Sequence, residues 1–138
     1  MWEHFIDAGC YPYALDLEIN EYLLVGDIIG ERCTESTSDE LLINTLFKEV
    51  QSLGFSIKHS ETDSSISTNQ FKIYLQRYER TGYYHFLRQD NTGIWSHKFP
   101  KGLPIQTDSC GQLILDPDCM VEAPFYGWCF LLEKEVRH

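Results

Sequence analysis

Cys10, His85 and His97 are the residues whose types and spacing could support covalent catalysis. Cys10 lies in the stretch AGCYPYAL, at the start of a predicted helix, and the two histidines are twelve positions apart in YYHFLRQDNTGIWSHK. A helix N-terminus lowers the pKa of a thiol and directs free backbone amides at an oxyanion. An imidazole accepts the thiol proton and later protonates the leaving group, while a third polar group fixes its tautomer. This combination of residues predicts thiol-dependent hydrolysis.

The turn DNTG decides whether the two histidines share a face of a sheet. It suits a type I turn followed by a left-handed glycine, which gives a three-residue hairpin loop with a bulge. In that register Asp90 faces Ile94, and His85 and His97 become diagonal neighbours about 7–8 Å apart, close enough for their rings to hydrogen-bond. A two- or four-residue loop would place the histidines on opposite faces. We expect the shared, aromatic-rich face to be the inner one and to pack against the helix of Cys10.

Two helices and an antiparallel sheet are predicted to position these residues. CYPYALDLEINEYL has a proline in its first turn, which suits a short helix at about 10–20. DELLINTLFKEVQS has helical apolar spacing between a cap at Ser38 and a terminator at Gly54. FSIKHS and three further β-rich segments follow, and FYGWCFLLE closes the chain. We therefore predict an α+β fold, with N-terminal helices packed on one antiparallel β-sheet formed by residues 70–99 and 125–133.

The length and charge of the chain restrict its class and its partners. Its 138 residues, 43% of them hydrophobic, suit a single domain, residues 1–138, with its own core. The net charge of −10 repels phosphate backbones and anionic lipid headgroups, so we expect neither nucleic acid nor membrane as a partner. No stretch approaches the roughly 18 consecutive apolar residues needed to cross a bilayer. A basic protein partner or an uncharged small substrate is electrostatically easier.

The five cysteines are an odd number without the spacing of a disulfide framework. The N-terminal stretch MWEHFIDAG is acidic and has no basic n-region, so we expect no signal peptide, synthesis in the cytoplasm and reduced thiols. The sequence contains neither C-x-x-C nor H-x₃₋₅-H, which argues against a zinc site. We therefore expect no metal and no cofactor.

Three segments of the sequence resemble the papain-like cysteine hydrolases. GCYPYAL is similar to the NCYAYAL opening of a set of small papain-like proteins, which also carry segments like YHFLRQDNTGIWSHK and DSCGQLILDP. The small NlpC/P60-type amidases of this superfamily are similar because their histidine pair also stands twelve residues apart across a tight hairpin. The resemblance covers residues 9–16 and 83–132. It implies a papain-like fold, with Cys10 as nucleophile, His85 as base and His97 as the residue that orients His85.

The resemblance also implies a peptide or amide substrate, either a protein or a peptidoglycan stem peptide. The chain departs from the family at Gly9, where Asn is usual, and at Pro12, within the nucleophile helix. We identify neither an export signal nor a wall-binding domain in it, whereas small papain-like domains without a signal are often delivered toxins or effectors. A toxin or effector that acts in another cell is therefore a further expectation.

Each of these residues also has a purely structural interpretation. Cys10 could be a packed thiol, because cysteine is among the most buried residue types, and His85 could be a hydrogen-bonded core histidine. Asp108 or Asp116 could replace His97 as the orienting residue. The second functional class is then a catalytically inactive, acidic binding module or inhibitor that docks on a basic partner, such as a toxin or a nuclease. A Cys10 thiol of low pKa that alkylates faster than the other four cysteines would favour the hydrolase.

Overall fold

One antiparallel sheet of five strands organises the residues that the computed structural model describes, 2–90 and 92–135. The strands are β1 (Phe55–His59), β2 (Gln70–Tyr78), β3 (Tyr84–Gln89), β4 (Trp95–Ser96) and β5 (Phe125–Lys134). Their order across the sheet is β1-β5-β2-β3-β4, and every neighbouring pair is antiparallel. The predicted α+β class and the antiparallel sheet are therefore confirmed.

Helix α2 spans Asp39–Ser52 and matches the prediction from its apolar spacing. The side chain of Ser38 accepts a hydrogen bond from the backbone N–H of Leu41 at 3.2 Å, which satisfies one of the free donors of the first turn. Gly54 follows the helix with φ +91°, a left-handed conformation that glycine adopts without strain. The cap and the terminator expected from the sequence are both confirmed.

Helix α1 is shorter than predicted, because it spans Cys10–Ala14 instead of about 10–20. Leu15 is its C-cap, and Asp16 then takes φ 56°. Aspartate tolerates the left-handed region better than most residues, so it can end a helix where no glycine is present. The helix nevertheless begins at Cys10, as predicted. Two 3₁₀ helices span Trp2–Phe5 and Pro117–Cys119.

The two faces of the sheet carry separate hydrophobic clusters. Helices α1 and α2 pack on one face, here called the helix face, against the buried residues Ile73, Leu75, Phe86, Phe130 and Leu132. The segment 105–121 covers the other face, here called the loop face, by packing Ile114 and Met120 against Tyr74, Leu87, Trp95 and Cys129. The core is therefore divided into two layers by the sheet.

The histidines lie on the loop face, which corrects one prediction. Residues alternate between faces along a strand, so His85 shares the face of Leu87. Phe86 points to the helix face and packs against Tyr11 of α1, with 5.0 Å between ring centroids. The histidine face is an inner one, as expected, but the expectation that α1 covers it is wrong. Segment 105–121 supplies the apolar side chains that cover that face instead.

The hairpin that joins β3 to β4 has the predicted register. The N–H of Asp90 donates to the carbonyl of Ile94 at 2.9 Å, and Gly93 closes the loop with φ +90°. Asn91, within the predicted turn, lies outside the described residues. The three-residue loop is therefore confirmed by the pairing on either side of it.

Strand β4 pairs with β3 through only two residue pairs, Arg88 with Ser96 and Gln89 with Trp95. Beyond Ser96 the chain leaves β3, and His97 pairs with Ile105 instead. The edge of β3 that faces β4 is therefore open at its first residues.

The carboxylate of Glu49, fully buried in α2, joins α1 and a loop to that helix. It accepts hydrogen bonds from the Tyr11 hydroxyl at 2.6 Å and from the backbone N–H groups of Gly26, Ile28 and Ile29 at 2.9, 2.9 and 3.2 Å. A buried carboxylate is tolerated only where its oxygens are hydrogen-bonded, and these four donors satisfy them. Because Tyr11 lies in the first turn of α1, the contact also fixes the start of that helix.

Replacing Glu49 with Ala leaves four donors without an acceptor, so we expect the free energy of unfolding to fall by about 3 kcal/mol or more. Chemical denaturation followed by circular dichroism measures this change. Glu40→Ala, at an exposed position of the same helix, is the matched control and should change the free energy of unfolding by less than about 1 kcal/mol. Equal effects of the two substitutions would contradict the role of Glu49.

Candidate active site

His85 and His97 form a hydrogen-bonded pair whose geometry fixes both neutral tautomers. Nε2 of His85 lies 2.8 Å from Nδ1 of His97, and Nε2 of His97 lies 2.9 Å from the carbonyl oxygen of Thr107. A carbonyl oxygen only accepts, so Nε2 of His97 carries the proton and its Nδ1 is an acceptor. Nε2 of His85 must then donate to His97, which leaves a free lone pair on Nδ1 of His85. The predicted contact between the histidines is confirmed, and it prepares His85 to accept a proton.

The imidazole of His85 is enclosed and uncharged. Its exposed fraction is 6%, and the ring of Phe99 stacks on it with 4.8 Å between centroids and 13° between planes. Burial, together with the neighbouring His97, lowers the pKa of His85 to about 3. His85 is therefore neutral at physiological pH, which is the form that acts as a base.

Cys10 lies at the open edge of β3, beside the residue that follows His85. The chain after β4 has left β3 at this level, and the backbone of Phe86 hydrogen-bonds to the Cys10 sulfur. The residue as a whole is half-buried. The position at an edge, rather than on either face, places Cys10 beside the backbone of Phe86, the residue that follows His85.

The pKa of the Cys10 thiol is raised, which corrects the prediction of a low value. Burial has the largest effect and raises the pKa to about 11, while backbone hydrogen bonds from Phe86, Cys10 and Tyr11 act in the opposite direction. Helix α1 has only five residues, so its dipole offers little compensation. The resting site therefore holds a neutral thiol and a neutral imidazole.

Of the three predicted residues, the structure shows a direct contact between the two histidines and an indirect one between Cys10 and His85. His85 contacts His97 directly, whereas the hydrogen bonds of the described residues do not include one from the Cys10 thiol to His85. Cys10 and His85 are joined through the backbone of Phe86. The catalytic role of the three residues stays a prediction.

Neither aspartate that could have replaced His97 acts on His85. The carboxylate of Asp108 accepts three backbone N–H groups of its own segment, at 2.9, 3.1 and 3.1 Å. The carboxylate of Asp116 caps the short 3₁₀ helix that follows it, at 3.0 Å. Of the three candidates, His97 is the one that hydrogen-bonds to His85.

The other cysteines lie away from this histidine pair. Cys33 and Cys129 are buried, Cys110 and Cys119 are exposed, and all of them are free thiols. Among residues 2–90 and 92–135, no three His, Cys, Asp or Glu side chains are grouped so that they could hold a metal ion. No helix in that part of the chain combines the length and the apolar character needed to cross a bilayer.

Lys98 is a buried residue that the sequence did not reveal. Its side chain is fully buried, and its Nζ donates to the carbonyl oxygens of Ile6 at 2.9 Å, of Ala8, and of Phe99 at 3.4 Å. The lysine therefore ties the segment that leads into α1 to the chain that follows β4. Lysines are mostly exposed, so no feature of the sequence distinguishes this one from a surface residue.

A comparison with curated proteins finds a relative of similar length. Insoluble matrix shell protein 1 of Ruditapes philippinarum is 30% identical to this chain over 123 residues, which cover 87% of this chain and 76% of that protein. Its name refers to an insoluble shell matrix and specifies no reaction. No family model matches the sequence, and no solved structure matches the chain.

Replacing Lys98 with Met removes the hydrogen bonds that hold the segment before α1. We expect the free energy of unfolding to fall by about 2–3 kcal/mol and Cys10 to react faster with a thiol reagent. Chemical denaturation and the rate of Cys10 modification, followed by peptide mass mapping, measure the two effects. Lys101→Ala is the control, because Lys101 is exposed and its ion pair with Asp7 is at the surface. A loss of stability no larger than that of the control would exclude this role for Lys98.

The low pKa of His85 predicts that the fold loses stability in mild acid. Between about pH 6.5 and pH 3 the unfolded chain binds a proton at this residue that the folded chain does not. The free energy of unfolding should therefore fall below about pH 6.5, by up to about 1.4 kcal/mol per pH unit from this group. Denaturation at several pH values should show that His85→Gln lacks this component, whereas His4→Gln, which removes an exposed imidazole, retains it. If the free energy of unfolding depends on pH in the same way in His85→Gln and in the wild type, another titrating group causes the loss of stability in acid.

Proposed function

The chain belongs to the family of insoluble matrix shell protein 1, and we propose that it acts as a cysteine hydrolase of the papain-like type. The observation that supports this proposal most directly is the hydrogen bond between His85 and His97, which leaves Nδ1 of His85 free, while Cys10 contacts the backbone of the next residue, Phe86. The NlpC/P60-like character of the fold is part of the proposal. The β3–β4 hairpin, with its two histidines twelve residues apart, supports it.

In the proposed reaction, the sulfur of Cys10 attacks the carbonyl carbon of an amide while the thiol proton passes to Nδ1 of His85. The carbon–nitrogen bond then breaks, the amine leaves with the proton from His85, and a thioester joins the acyl group to Cys10. Water attacks this thioester, again with His85 as the base, and releases a carboxylic acid and the free thiol. His97 holds the ring of His85 in the required tautomer throughout.

The shifted pKa values determine when the proton moves. The pKa of Cys10 is about 11 and that of His85 about 3, so both groups are neutral at rest. Proton transfer therefore accompanies the attack on the carbonyl instead of preceding it. The positive imidazolium and the negative oxygen that forms on the substrate then stabilise each other at low dielectric.

The proposed substrates are peptide or amide bonds, in a protein or in a peptidoglycan stem peptide. The net charge of −10 makes a polyanionic substrate unfavourable and a neutral or cationic one favourable. The half-buried position of Cys10 leaves an approach for such a chain from the open edge of β3.

A second candidate function is non-catalytic binding to a basic protein. The net charge of −10 favours such a partner, and the relative is named for an insoluble shell matrix. The raised pKa of Cys10 also fits a packed thiol that performs no chemistry. In that case the histidine pair is a buried structural contact.

Variants of the nucleophile and the base separate catalysis from binding. We expect Cys10→Ala to abolish the hydrolysis of a panel of peptide amides and thioesters, and His85→Ala to lower kcat/KM by about 10²–10⁴-fold. Cys110→Ala removes an exposed thiol of segment 105–121 and should retain full activity. Substrate turnover and the mass of the acyl-enzyme provide the measurements. If Cys10→Ala turns over substrate as the wild type does, or if no member of the panel is cleaved, the binding function is favoured.

The stability of Cys10→Ala is the control for this experiment. Removing one thiol leaves a small cavity, so we expect cooperative unfolding and a loss of about 1 kcal/mol. If the variant is folded but inactive, the loss of activity is due to the missing thiol and not to unfolding. If Cys10→Ala fails to fold, Cys10→Ser, which nearly keeps the side-chain volume, replaces it.

A further inference from the structure

An apolar cleft lies at the end of the sheet where β2 turns into β3, and the chain before β5 forms its other wall. Its volume is about 430 Å³, and its surface is almost entirely apolar. The cleft is lined by Tyr78, Arg80, Thr81, Tyr83, Glu122, Ala123 and Pro124. A volume of this order is enough for an aromatic side group and the atoms next to it.

The strand register places this cleft one step from His85. The N–H of Tyr78 donates to the carbonyl of Tyr83 at 2.9 Å, and the next pair on the same face is Gln76 with His85. Two residues of a strand span about 6.6–6.8 Å, so the backbone of Tyr83, a cleft residue, is one such step from that of His85, which does not itself line the cleft. A substrate whose carbonyl lies between Cys10 and His85 therefore has its neighbouring side group at the cleft.

Exposed aromatic rings surround the same position. Tyr83 and Phe99 are 58% and 49% exposed, and Phe99 stacks on the imidazole of the pair. Tyr22, 57% exposed, lies so close to Gly9 that a Cβ there would be 2.9 Å from its ring. The glycine before Cys10 therefore makes room for Tyr22. Clustered aromatic side chains that remain in contact with water are typical of sites that bind apolar groups.

The charges near the cleft favour a neutral occupant. Burial, with smaller contributions from the charges of Glu122 and Cys10, raises the pKa of Tyr78 to about 12, so this phenol stays neutral. Arg80 and Glu122 also line the cleft, but the exposed surface of its walls is almost entirely apolar, so a charged group would lose much of its hydration on entering it. An apolar group is stabilised by the same walls.

We propose that this cleft is the subsite for an apolar or aromatic side group on the acyl part of the substrate, next to the carbonyl that Cys10 attacks. The inference rests on the proposed hydrolase function and specifies its substrate class. In a peptide substrate, an apolar residue immediately precedes the bond that is cleaved. The position of the cleft one step along strand β3 from His85, together with its apolar walls, selects this occupant.

Two chloromethyl ketones that differ in one group test the subsite. One carries a benzyl group next to the ketone and the other a hydrogen, and each alkylates the Cys10 sulfur with loss of chloride as the thiol proton passes to His85. Neither compound requires turnover of an unknown substrate. We expect the benzyl compound to modify Cys10 at least about tenfold faster than the small compound, measured by peptide mass mapping against time.

Two variants identify the cleft as the source of this preference. Ala123→Trp places a large ring in the cleft and should bring the ratio of the two rates close to one. Tyr126→Ala removes an exposed tyrosine on the helix face and should leave the ratio unchanged. If Ala123→Trp does not fold, Tyr83→Ala replaces it, because loss of this wall should also lower the ratio.

The possible results distinguish a failure of the subsite proposal from a failure of the hydrolase proposal. Equal rates for the two compounds, with both rates lowered in His85→Ala, would overturn the subsite and leave the hydrolase. Rates at Cys10 that do not change in His85→Ala would mean that no base assists the thiol, and both proposals would then be wrong. A preference for the benzyl compound that persists in Ala123→Trp would locate the apolar subsite elsewhere.

Discussion

The hydrogen bond between His97 and the carbonyl of Thr107 is the interaction on which the rest of the site depends. It decides which nitrogen of His97 carries the proton and, through the 2.8 Å contact, which nitrogen of His85 is free. The carbonyl is held in place because His97 pairs with Ile105 and Thr107 pairs with Leu113. A segment with almost no regular secondary structure therefore determines the protonation of a residue on a strand of the sheet. Any rearrangement of that segment would change the chemistry of His85 before it changed the fold.

The early end of β4 creates the space that the site occupies. A longer fourth strand would pair with β3 at Phe86 and cover the edge where Cys10 lies. Two buried charged groups then fix the start of α1 at this opening. The ammonium of Lys98 binds three carbonyl oxygens on one side, and the carboxylate of Glu49 binds four donors on the other. Cys10 is thus positioned by electrostatic contacts with the backbone rather than by a long helix.

Local sequence patterns predicted the helices and strands of this fold. The observed structure differs from the prediction where contacts between distant segments decide the result. The approach of His85 to His97 follows from the geometry of one turn, so it could be predicted from a few adjacent residues. The face that α1 covers depends on segment 105–121, whose irregular sequence has no periodicity that indicates where it packs. The raised pKa of Cys10 is a result of burial, which depends on the complete fold. The burial of Lys98 could not be predicted for the same reason. Its partners are backbone carbonyl oxygens, which every residue type has, so the sequence does not identify them.

The protonated thiol of Cys10 also resists oxidation. Peroxides convert thiolates to sulfenic acids much faster than thiols, so damage follows the thiolate fraction and the exposure of each cysteine. A pKa near 11 instead of 9 lowers the thiolate fraction at neutral pH about a hundredfold. The exposed thiols of Cys110 and Cys119 are therefore the ones that an oxidant meets first. In the proposed reaction, a nucleophile that ionises only as it attacks can remain usable in surroundings that would inactivate a permanently ionised one.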